Sequence, residues 1–408
     1  MSEKTYSRRK FISSGLAGMS AAGLAGVGRL SGAPKIRPGS QNNGAIITRV
    51  LGKTGLRVPI VNFGVMNADN PALVQRAYEL GMRLYDTAAN YMRGRNEEMV
   101  GRVLKEMGVR DQVFIATKVF LPHPQRGIPE SEVRAYYLKS AEDSLRRLQT
   151  DHVDILHSHN VDNTAYLNHP AILEALELLK KQGKTRFIGF TTHKGMTECL
   201  NDAAKSGIYD AVLTTFNYSY HDDADLNQAL EKAADAGIGL MAMKTQCHTD
   251  WYEEALPPRL QEFYRPPLVH PALLKWALRH EFITCAVPGV TTFEQMDQNF
   301  VCARGLDLSP EEKKFLGDRG VKLAMAAVCR RCEACIATCP RGADVPELLR
   351  AQMYAFSYGN PAQARDTLDA IPAARGIKAC GGCDGCVAVC ANRVDIGRRI
   401  ARLREAFA

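Results

Sequence analysis

The sequence has little that indicates a nucleic-acid partner or a membrane-spanning helix. It lacks a basic stripe interleaved with aromatic residues, the usual mark of a nucleic-acid-binding surface. The net charge of +8 is modest, and half of it comes from residues 1–33, which hold five basic side chains and one acidic one. The weakly apolar stretch at residues 15–27 is too short and too rich in glycine and alanine to cross a bilayer stably. No nucleic-acid partner is therefore expected.

Short apolar runs alternate with amphipathic stretches from residue 46 to residue 308. Eight runs have the composition of strands, and they begin at Ile60, Arg83, Val113, Val153, Arg186, Ala211, Ile238 and Ile283. Eight such strand–helix units predict an α/β fold, a (β/α)8 TIM barrel over residues 46–308. A doubly wound sheet is the alternative, but it normally carries a glycine-rich turn after its first strand, and FGVMNADNP has none.

Cysteine is concentrated near the C-terminus in two runs, CRRCEACIATCP and CGGCDGCVAVC. Both follow C-x2-C-x2-C-x3-C, the spacing that bacterial ferredoxins use for cubane iron–sulfur clusters. The spacing predicts two 4Fe–4S clusters, with Cys390 completing the first site and Cys339 the second. The eight predicted ligands are Cys329, Cys332, Cys335, Cys339, Cys380, Cys383, Cys386 and Cys390.

Two other uses of these cysteines are weighed against the clusters. Paired C-x2-C units also form zinc knuckles, but a doubled four-cysteine run with Pro340 behind one of them favours iron–sulfur clusters. A disulfide framework would suit a small secreted scaffold, and eight cysteines this crowded fit none.

Residues 309–408 are predicted to form a small, mainly α, ferredoxin-like domain. Ser309 and Pro310, followed by two glutamates, predict a helix start that leads towards Cys329. Two further helices are predicted between the cysteine runs, from Val345 and from Pro361. Apolar residues are few here, so the clusters are expected to hold the domain together.

The N-terminus matches a twin-arginine export signal. Ser7, Arg8 and Arg9 are followed by Phe11 and Ile12 and then by the weakly apolar run. Because clusters are inserted in the reducing cytoplasm, an exported cluster protein must cross the membrane folded, and this pathway carries folded cargo. A chance pair of arginines ahead of a tail is the alternative.

The signal is assigned to residues 1–33 and a linker to residues 34–45. The expected location is the periplasm or another compartment outside the cytoplasm. Pro34 is a poor residue to follow a cleavage site at 31–33, so an uncleaved anchor stays open. Contact with a membrane is expected only in that case.

Four polar side chains fall at the C-terminal ends of predicted barrel strands, where barrel chemistry occurs: Asp86, Tyr91, Lys118 and His159. This set resembles the aldo/keto reductases. The resemblance covers most of residues 47–304 and includes YDTAANYMRGRNEEMVGRVL, VDILHSHN and VPGVTTFEQMDQN. The cysteine runs and MAMK, from Met241, are similar to the ferredoxin-bearing branch of that family.

The resemblance implies roles for the four side chains. Tyr91 would be the general acid, with its pKa lowered by the Lys118 ammonium, which Asp86 would hold in place. A neutral His159 would orient the substrate carbonyl. The alternative is a structural Asp86–Lys118 salt bridge with Tyr91 as a loop aromatic. His157, two residues before His159, is expected to be a packed or hydrogen-bonded histidine one layer deeper.

The resemblance also implies NAD or NADP as cofactor, with the preference left open. The implied nicotinamide and adenine contacts are Thr191, Thr192, Met243, Lys244, Gly289, Glu294, Gln295 and Asn299. Gly289 and Gln295 replace the cations that many members place on the 2′-phosphate, and Met243 replaces their stacking tyrosine. Lys244 is an unpaired cation within reach of a phosphate or a substrate carboxylate.

The sequence thus predicts an exported oxidoreductase that exchanges hydride between a nicotinamide and a small carbonyl or hydroxyl substrate. The two clusters would carry electrons to or from a redox partner protein. Hydride moves two electrons and a cluster accepts one, and no flavin motif is visible to split the pair. A plain carbonyl reductase with structural clusters is one alternative. A non-catalytic, redox-sensing or docking barrel on an electron carrier is the other.

Overall fold

The structure, a computed structural model, describes residues 44–121, 128–246, 266–383 and 385–407. The predicted twin-arginine signal and most of the predicted linker lie outside these ranges. So do most of the loop at residues 121–130 and all of residues 247–260. The described residues form one compact unit. No helix in the described part is long and apolar enough to cross a membrane.

An antiparallel hairpin of β1 (Thr48–Val50) and β2 (Arg57–Pro59) precedes a sheet of eight parallel strands. In chain order these strands are β3 (Phe63–Gly64), β4 (Leu84–Asp86), β5 (Phe114–Phe120), β6 (Val153–His159), β7 (Thr185–Thr192), β8 (Ala211–Thr215), β9 (Gly239–Met243) and β10 (Cys285–Ala286). Each pairs with its neighbour in sequence. All eight lie within or overlap the runs that the sequence marks as strands.

The first and last strands of this sheet meet, which closes it into a barrel. Parallel bridges join Val61 to Ala286 and Gly64 to Gly289. The Asn62 amide donates to the Ala286 carbonyl at 2.9 Å, and the Ala286 amide donates to the Ile60 carbonyl at 2.8 Å. The predicted (β/α)8 fold is confirmed, and the C-terminal ends of all strands share one rim.

Apolar side chains fill the barrel from the end opposite that rim. Leu51, Leu56 and Val58 of the hairpin pack with inward-facing strand residues such as Ile155 and Leu213. A Cβ on Gly239, the first residue of β9, would lie 2.4 Å from the Leu51 side chain, so glycine lets the hairpin approach. Since this end is plugged, ligands can enter only at the C-terminal rim.

Amphipathic helices surround the barrel. They are α1 (Pro71–Leu80), α2 (Arg95–Glu106), α3 (Val133–Leu148), α4 (Thr164–Leu167), α5 (Pro170–Lys181), α6 (Met196–Ser206), α7 (Ala224–Asp235), α8 (Pro266–Leu278) and α9 (Phe293–Val301). Local capping fixes several starts: Asn70 accepts from the Ala72 amide, Asp223 from Leu226 and Thr292 from Gln295.

Two helices after the barrel, α10 (Pro310–Gly317) and α11 (Arg319–Ala326), pack on it rather than on the cysteine-rich segment. Ser309 and Glu312 form the full capping box, which confirms the predicted helix start. Phe315, Val321 and Met325 pack against Leu273 of α8. These two helices therefore belong to the layer of helices that packs around the barrel.

The cysteine-rich domain follows, with α12 (Val345–Gln352), α13 (Pro361–Ala370) and α14 (Ile396–Phe407). The two helices predicted between the cysteine runs are confirmed, whereas α14 had no counterpart in the sequence prediction. Leu348, Leu349, Ile400 and Leu403 form an apolar core with which several cysteines pack. The domain has more apolar packing of its own than its composition indicated.

The cysteine-rich domain covers the C-terminal rim of the barrel. Arg93, after β4, pairs with Asp366 at 2.7 Å, and Lys194, after β7, pairs with Glu333 at 2.5 Å. The Asn360 amide donates to Asn67, after β3, at 3.0 Å. Because these barrel residues all follow strand ends, the domain lies over the face where the candidate site opens.

Candidate active site

The four predicted catalytic side chains lie together at the C-terminal rim. Asp86 ends β4, Lys118 lies in β5, His159 ends β6, and Tyr91 begins a short turn after β4. The Lys118 ammonium donates to Asp86 Oδ2 at 2.7 Å and lies 4.8 Å from the centroid of the Tyr91 ring. The Tyr91 and His159 rings meet edge to face, with centroids 5.8 Å apart.

Asp86 and Lys118 form a buried ion pair, with side chains only 6% and 1% exposed. Burial raises the pKa of the Asp86 carboxyl and lowers the pKa of the Lys118 ammonium, and each partner opposes the shift of the other. Lys118 also donates to the Thr87 carbonyl at 2.6 Å. The pair is therefore held in one geometry, although its desolvation is costly.

The pKa of Tyr91 moves in the opposite direction to the one expected. Burial raises the pKa of its phenol well above 10, and the Asp86 carboxylate and Tyr354 add to the shift. The Lys118 ammonium lies over the ring face and is neutralised by Asp86, so it does little to stabilise a phenolate. Tyr91 consequently keeps its proton at neutral pH.

His159 is neutral, as expected. Burial lowers its pKa well below 6.5, and the Lys118 and Arg350 cations lower it further. Its Nδ1 is buried and accepts or donates no hydrogen bond within the described residues. His157 is fully buried against Gly189, with neither ring nitrogen hydrogen-bonded there, so it is a packed rather than a hydrogen-bonded histidine.

A cavity of about 230 Å³ opens above these side chains. Asp86, Tyr91 and His159 line one part of it, and Arg350 and Tyr354 of the cysteine-rich domain line another. A cavity between two domains is a common place for a ligand site.

Five polar side-chain atoms around this cavity are buried and have no hydrogen-bond partner in the described part of the chain. They are Asp86 Oδ1, Asn90 Oδ1, His159 Nδ1, Asn160 Oδ1 and Thr245 Oγ1. Buried polar atoms are nearly always paired in folded proteins, so five unpaired atoms on residues that line one cavity mark it as a polar site.

Five of the eight predicted cofactor contacts line the cavity: Met243, Lys244, Gly289, Gln295 and Asn299. Thr191, Thr192 and Glu294 do not. The Thr191 hydroxyl accepts from the Asn160 amide at 2.9 Å, and the Thr192 hydroxyl donates to the Lys194 carbonyl at 2.9 Å. Glu294 accepts from Gln298 at 3.0 Å on the surface.

Several cavity residues were not predicted. Asn160 and His193 directly follow predicted residues, and their places at strand ends were a usable signal. Arg350 and Tyr354 belong to another domain, and nothing in their local sequence points to the barrel.

Thiols of the two cysteine runs lie near one another, and the crossed assignment of Cys339 and Cys390 stays a prediction. Burial raises the pKa of the Cys335 thiol to about 11, and the adjacent thiols of Cys329 and Cys390 add to the shift. Burial likewise raises the pKa of Cys380, with Cys339 as its strongest thiol neighbour. Cys390 thus lies by the first run and Cys339 by the second.

This arrangement fits thiolate ligands of clusters. The eight cysteines form no disulfide. Within the described ranges, no three His, Cys, Asp or Glu side chains lie close enough to hold a single metal ion. Thiolates around a cubane each bind a different iron atom and are spread more widely than the ligands of one zinc ion.

Comparisons with known proteins identify two domains. Residues 63–249 match the model of the aldo/keto reductase family, and residues 328–395 match a 4Fe-4S dicluster domain. L-galactose dehydrogenase from Arabidopsis thaliana is 28% identical over 66% of this chain and 92% of its own length. L-glyceraldehyde 3-phosphate reductase from Escherichia coli O157:H7 is 26% identical over 65% of this chain and 89% of its own length.

Solved structures support the same fold. An aldo-keto reductase from Bacillus halodurans, in its holo form, aligns with a TM-score of 0.53 at 22% identity, over 69% of this chain and 95% of its own. An aldo-keto reductase from Klebsiella pneumoniae, in complex with NADPH, aligns with a TM-score of 0.51 at 24% identity, over 67% and 94%.

Proposed function

Because the chain carries an aldo/keto reductase family domain followed by a 4Fe-4S dicluster domain, we propose that it is an exported oxidoreductase with two 4Fe–4S clusters. Its substrate is a small carbonyl or hydroxyl compound, and its cofactor is NAD or NADP. The clusters pass electrons to or from a redox partner. The observation that carries this proposal is the set of unpaired buried polar atoms around the cavity that Tyr91, His159 and Asp86 line.

In this function, the protonated Tyr91 phenol donates its proton to the substrate carbonyl oxygen. The high pKa that burial gives Tyr91 keeps this proton available across the neutral range. The neutral His159 ring lines the cavity beside Tyr91 and can orient the same oxygen or a neighbouring hydroxyl. Bound nicotinamide would supply or accept the hydride.

The proposed cofactor-binding residues that line the cavity are Met243, at the end of β9, and Gly289, Gln295 and Asn299, after β10. Asn299 accepts from the Gln246 amide at 2.6 Å, and Gln295 accepts from the Thr291 amide at 2.8 Å, so both are held in place. Gly289 offers no cation for a 2′-phosphate. The NADPH complex of the Klebsiella protein supports binding of a nicotinamide dinucleotide here but leaves the choice between NAD and NADP open.

An electron-transfer role for the clusters is supported by where the first cysteine run lies. Cys329 lines a small cavity of about 50 Å³ that Lys244 and Arg350 also line, and these two residues line the main cavity as well. A cluster on Cys329, Cys332, Cys335 and Cys390 would therefore be close to the substrate pocket. The second candidate, a carbonyl reductase with structural clusters, is favoured by the packing of cysteines into the apolar core.

The proposal is tested by steady-state turnover of anaerobically purified, full-length protein with small aldehydes and NADH or NADPH. Turnover is expected, and adding substrate with reduced cofactor is expected to bleach the cluster absorbance. Turnover without bleaching would favour structural clusters. Binding of dinucleotide without any turnover would favour the docking barrel. Export is tested separately by replacing Arg8 and Arg9 with lysine, which is expected to leave the protein in the cytoplasm.

A further inference from the structure

We propose that the barrel and the cysteine-rich domain together form an oxyanion-binding site, in which Lys244, Arg350 and Tyr354 hold a carboxylate of the substrate beside Tyr91. This inference deepens the proposed function and rests on it. It assigns the substrate to the oxo acids and hydroxy acids, in which a carboxylate lies a short distance from the reacting carbon. The three residues of this site are called the mouth cluster below.

Lys244 brings an ammonium without a counter-ion into the cavity. It follows β9 with a φ of 55°, a left-handed conformation that is uncommon for residues other than glycine and often found at functional sites. No carboxylate in the described ranges pairs with it, and its Nζ lies 5.9 Å from the centroid of the Tyr354 ring. Burying a charge without a partner is costly, so this partly buried ammonium favours the binding of an anion.

Arg350 adds a second cation from the other domain. Its guanidinium pairs with Glu347, which also pairs with Arg331. Burial opposes ionisation of Glu347, but Arg350 and Arg331 lower the pKa of its carboxyl to about 2. One carboxylate therefore serves two guanidiniums, and the Nε of Arg350 remains buried without a partner among the residues described.

Tyr354 lies between the two cations on a π-turn. Residues Met353–Ser357 form this turn, which the Tyr358 amide closes by donating to the Met353 carbonyl at 3.1 Å. Such turns inside helices are frequent at functional sites. Burial alone would raise the pKa of Tyr354, but Lys244 and Arg350 bring it below its ordinary value, which reflects the positive potential. A side-chain hydrogen bond also joins Tyr354 to Arg350.

The charges around the cavity do not cancel. Asp86 is the one carboxylate among the described residues that line it, and Lys118 already neutralises Asp86. Lys244 is left over, and Arg350 shares its one carboxylate, Glu347, with Arg331. An anion that enters this low-dielectric space gains charge-assisted hydrogen bonds from both.

Two groups could supply the oxyanion: a carboxylate of the substrate or a phosphate of the dinucleotide. The position of the mouth cluster favours the substrate. Tyr354 is near enough to Tyr91 to raise the pKa of that phenol. The adenine-side residues Gln295 and Asn299 instead lie on α9, after the last strand. The mouth cluster is therefore at the reacting end of the cavity.

The test compares succinic semialdehyde, which carries a carboxylate, with butanal, which has the same carbon count and none. The protein is full length and carries its clusters. In Lys244→Met and Arg350→Met, kcat/KM for succinic semialdehyde relative to butanal is expected to fall about tenfold or more, because each removes a hydrogen bond to a charged group. The control is Lys194→Met, which removes a lysine from the same domain interface but not from the cavity. Its kcat/KM for succinic semialdehyde relative to butanal should match that of the wild type.

An unchanged ratio in both variants would overturn the inference. If the same variants also bind NADH or NADPH more weakly in a fluorescence titration, the oxyanion belongs to the dinucleotide instead. A wild type that turns over neither aldehyde would remove the proposed function, and calorimetry with succinate then tests the site by itself. Succinate binding that Lys244→Met abolishes would support the site, whereas no binding in the wild type, or binding that Lys244→Met leaves unchanged, would overturn it.

Discussion

Tyr91 is the residue on which the proposed chemistry depends most directly. Tyr91→Phe is expected to lower kcat about a hundredfold to ten-thousandfold, because it removes the general acid and keeps the ring. Dinucleotide binding should change little, since the phenol lies at the reacting end of the cavity. Steady-state kinetics and a fluorescence titration measure the two effects. Undiminished turnover in this variant would remove Tyr91 from the mechanism.

Lys118 contributes to stability as well as to the site. Lys118→Met is expected to destabilise the barrel by roughly 3–5 kcal/mol, because it leaves the Asp86 carboxylate buried without its partner. The double variant with Asp86→Asn should recover part of this loss. Thermal unfolding followed by circular dichroism compares the three proteins. A single variant as stable as the wild type would show that the pair is not buried as described.

Among individual residues, those that lie at strand ends could be predicted from the sequence. Asp86, Lys118 and His159 occupy positions that a parallel barrel brings to one rim, so their meeting follows from the strand order. The direction of the Tyr91 pKa could not be predicted, because it depends on burial and on Asp86. Arg350 and Tyr354 are separated from the barrel motifs by long stretches of chain, and only domain docking brings them to the cavity.

At the scale of elements, the most specific prediction concerns the two cysteine runs. Cys339→Ser should damage the cluster whose other ligands are Cys380, Cys383 and Cys386, although Cys339 belongs to the first run. The matched variant Cys390→Ser should damage the other cluster. Iron analysis and electron paramagnetic resonance of anaerobic protein distinguish the two. Zinc in place of iron in the wild type, or loss of the cluster of the variant's own run, would contradict the crossed assignment.

Element boundaries show where local signals suffice and where they do not. The eight strands are buried on both faces and therefore read as continuous apolar runs, which made them predictable. The helix predicted from Pro310 was expected to lead towards Cys329, yet Phe315 of α10 and Val321 of α11 pack on α8. Amphipathic helices show which face is buried but not against which neighbour. That choice depends on the whole fold.

For the whole molecule, the proposed export and the proposed nicotinamide cofactor together lead to one prediction. No free nicotinamide pool is expected outside the cytoplasm, so an exported enzyme must carry its dinucleotide with it. Gently purified exported protein should release about one NAD or NADP per chain on denaturation, measured by chromatography of the supernatant. Protein that releases none, and that binds no added dinucleotide at millimolar levels, would not be a nicotinamide enzyme.

The cysteine-rich domain over the barrel rim has a kinetic consequence. Anything that enters or leaves the cavity must pass the edge of that domain or displace it, so exchange is coupled to the strength of the interface. The Arg93–Asp366 and Lys194–Glu333 pairs are partly exposed to solvent, and salt screens such pairs. Exchange of a bound dinucleotide should therefore quicken with ionic strength, whereas the proposed electron transfer to the clusters would need no opening of the interface.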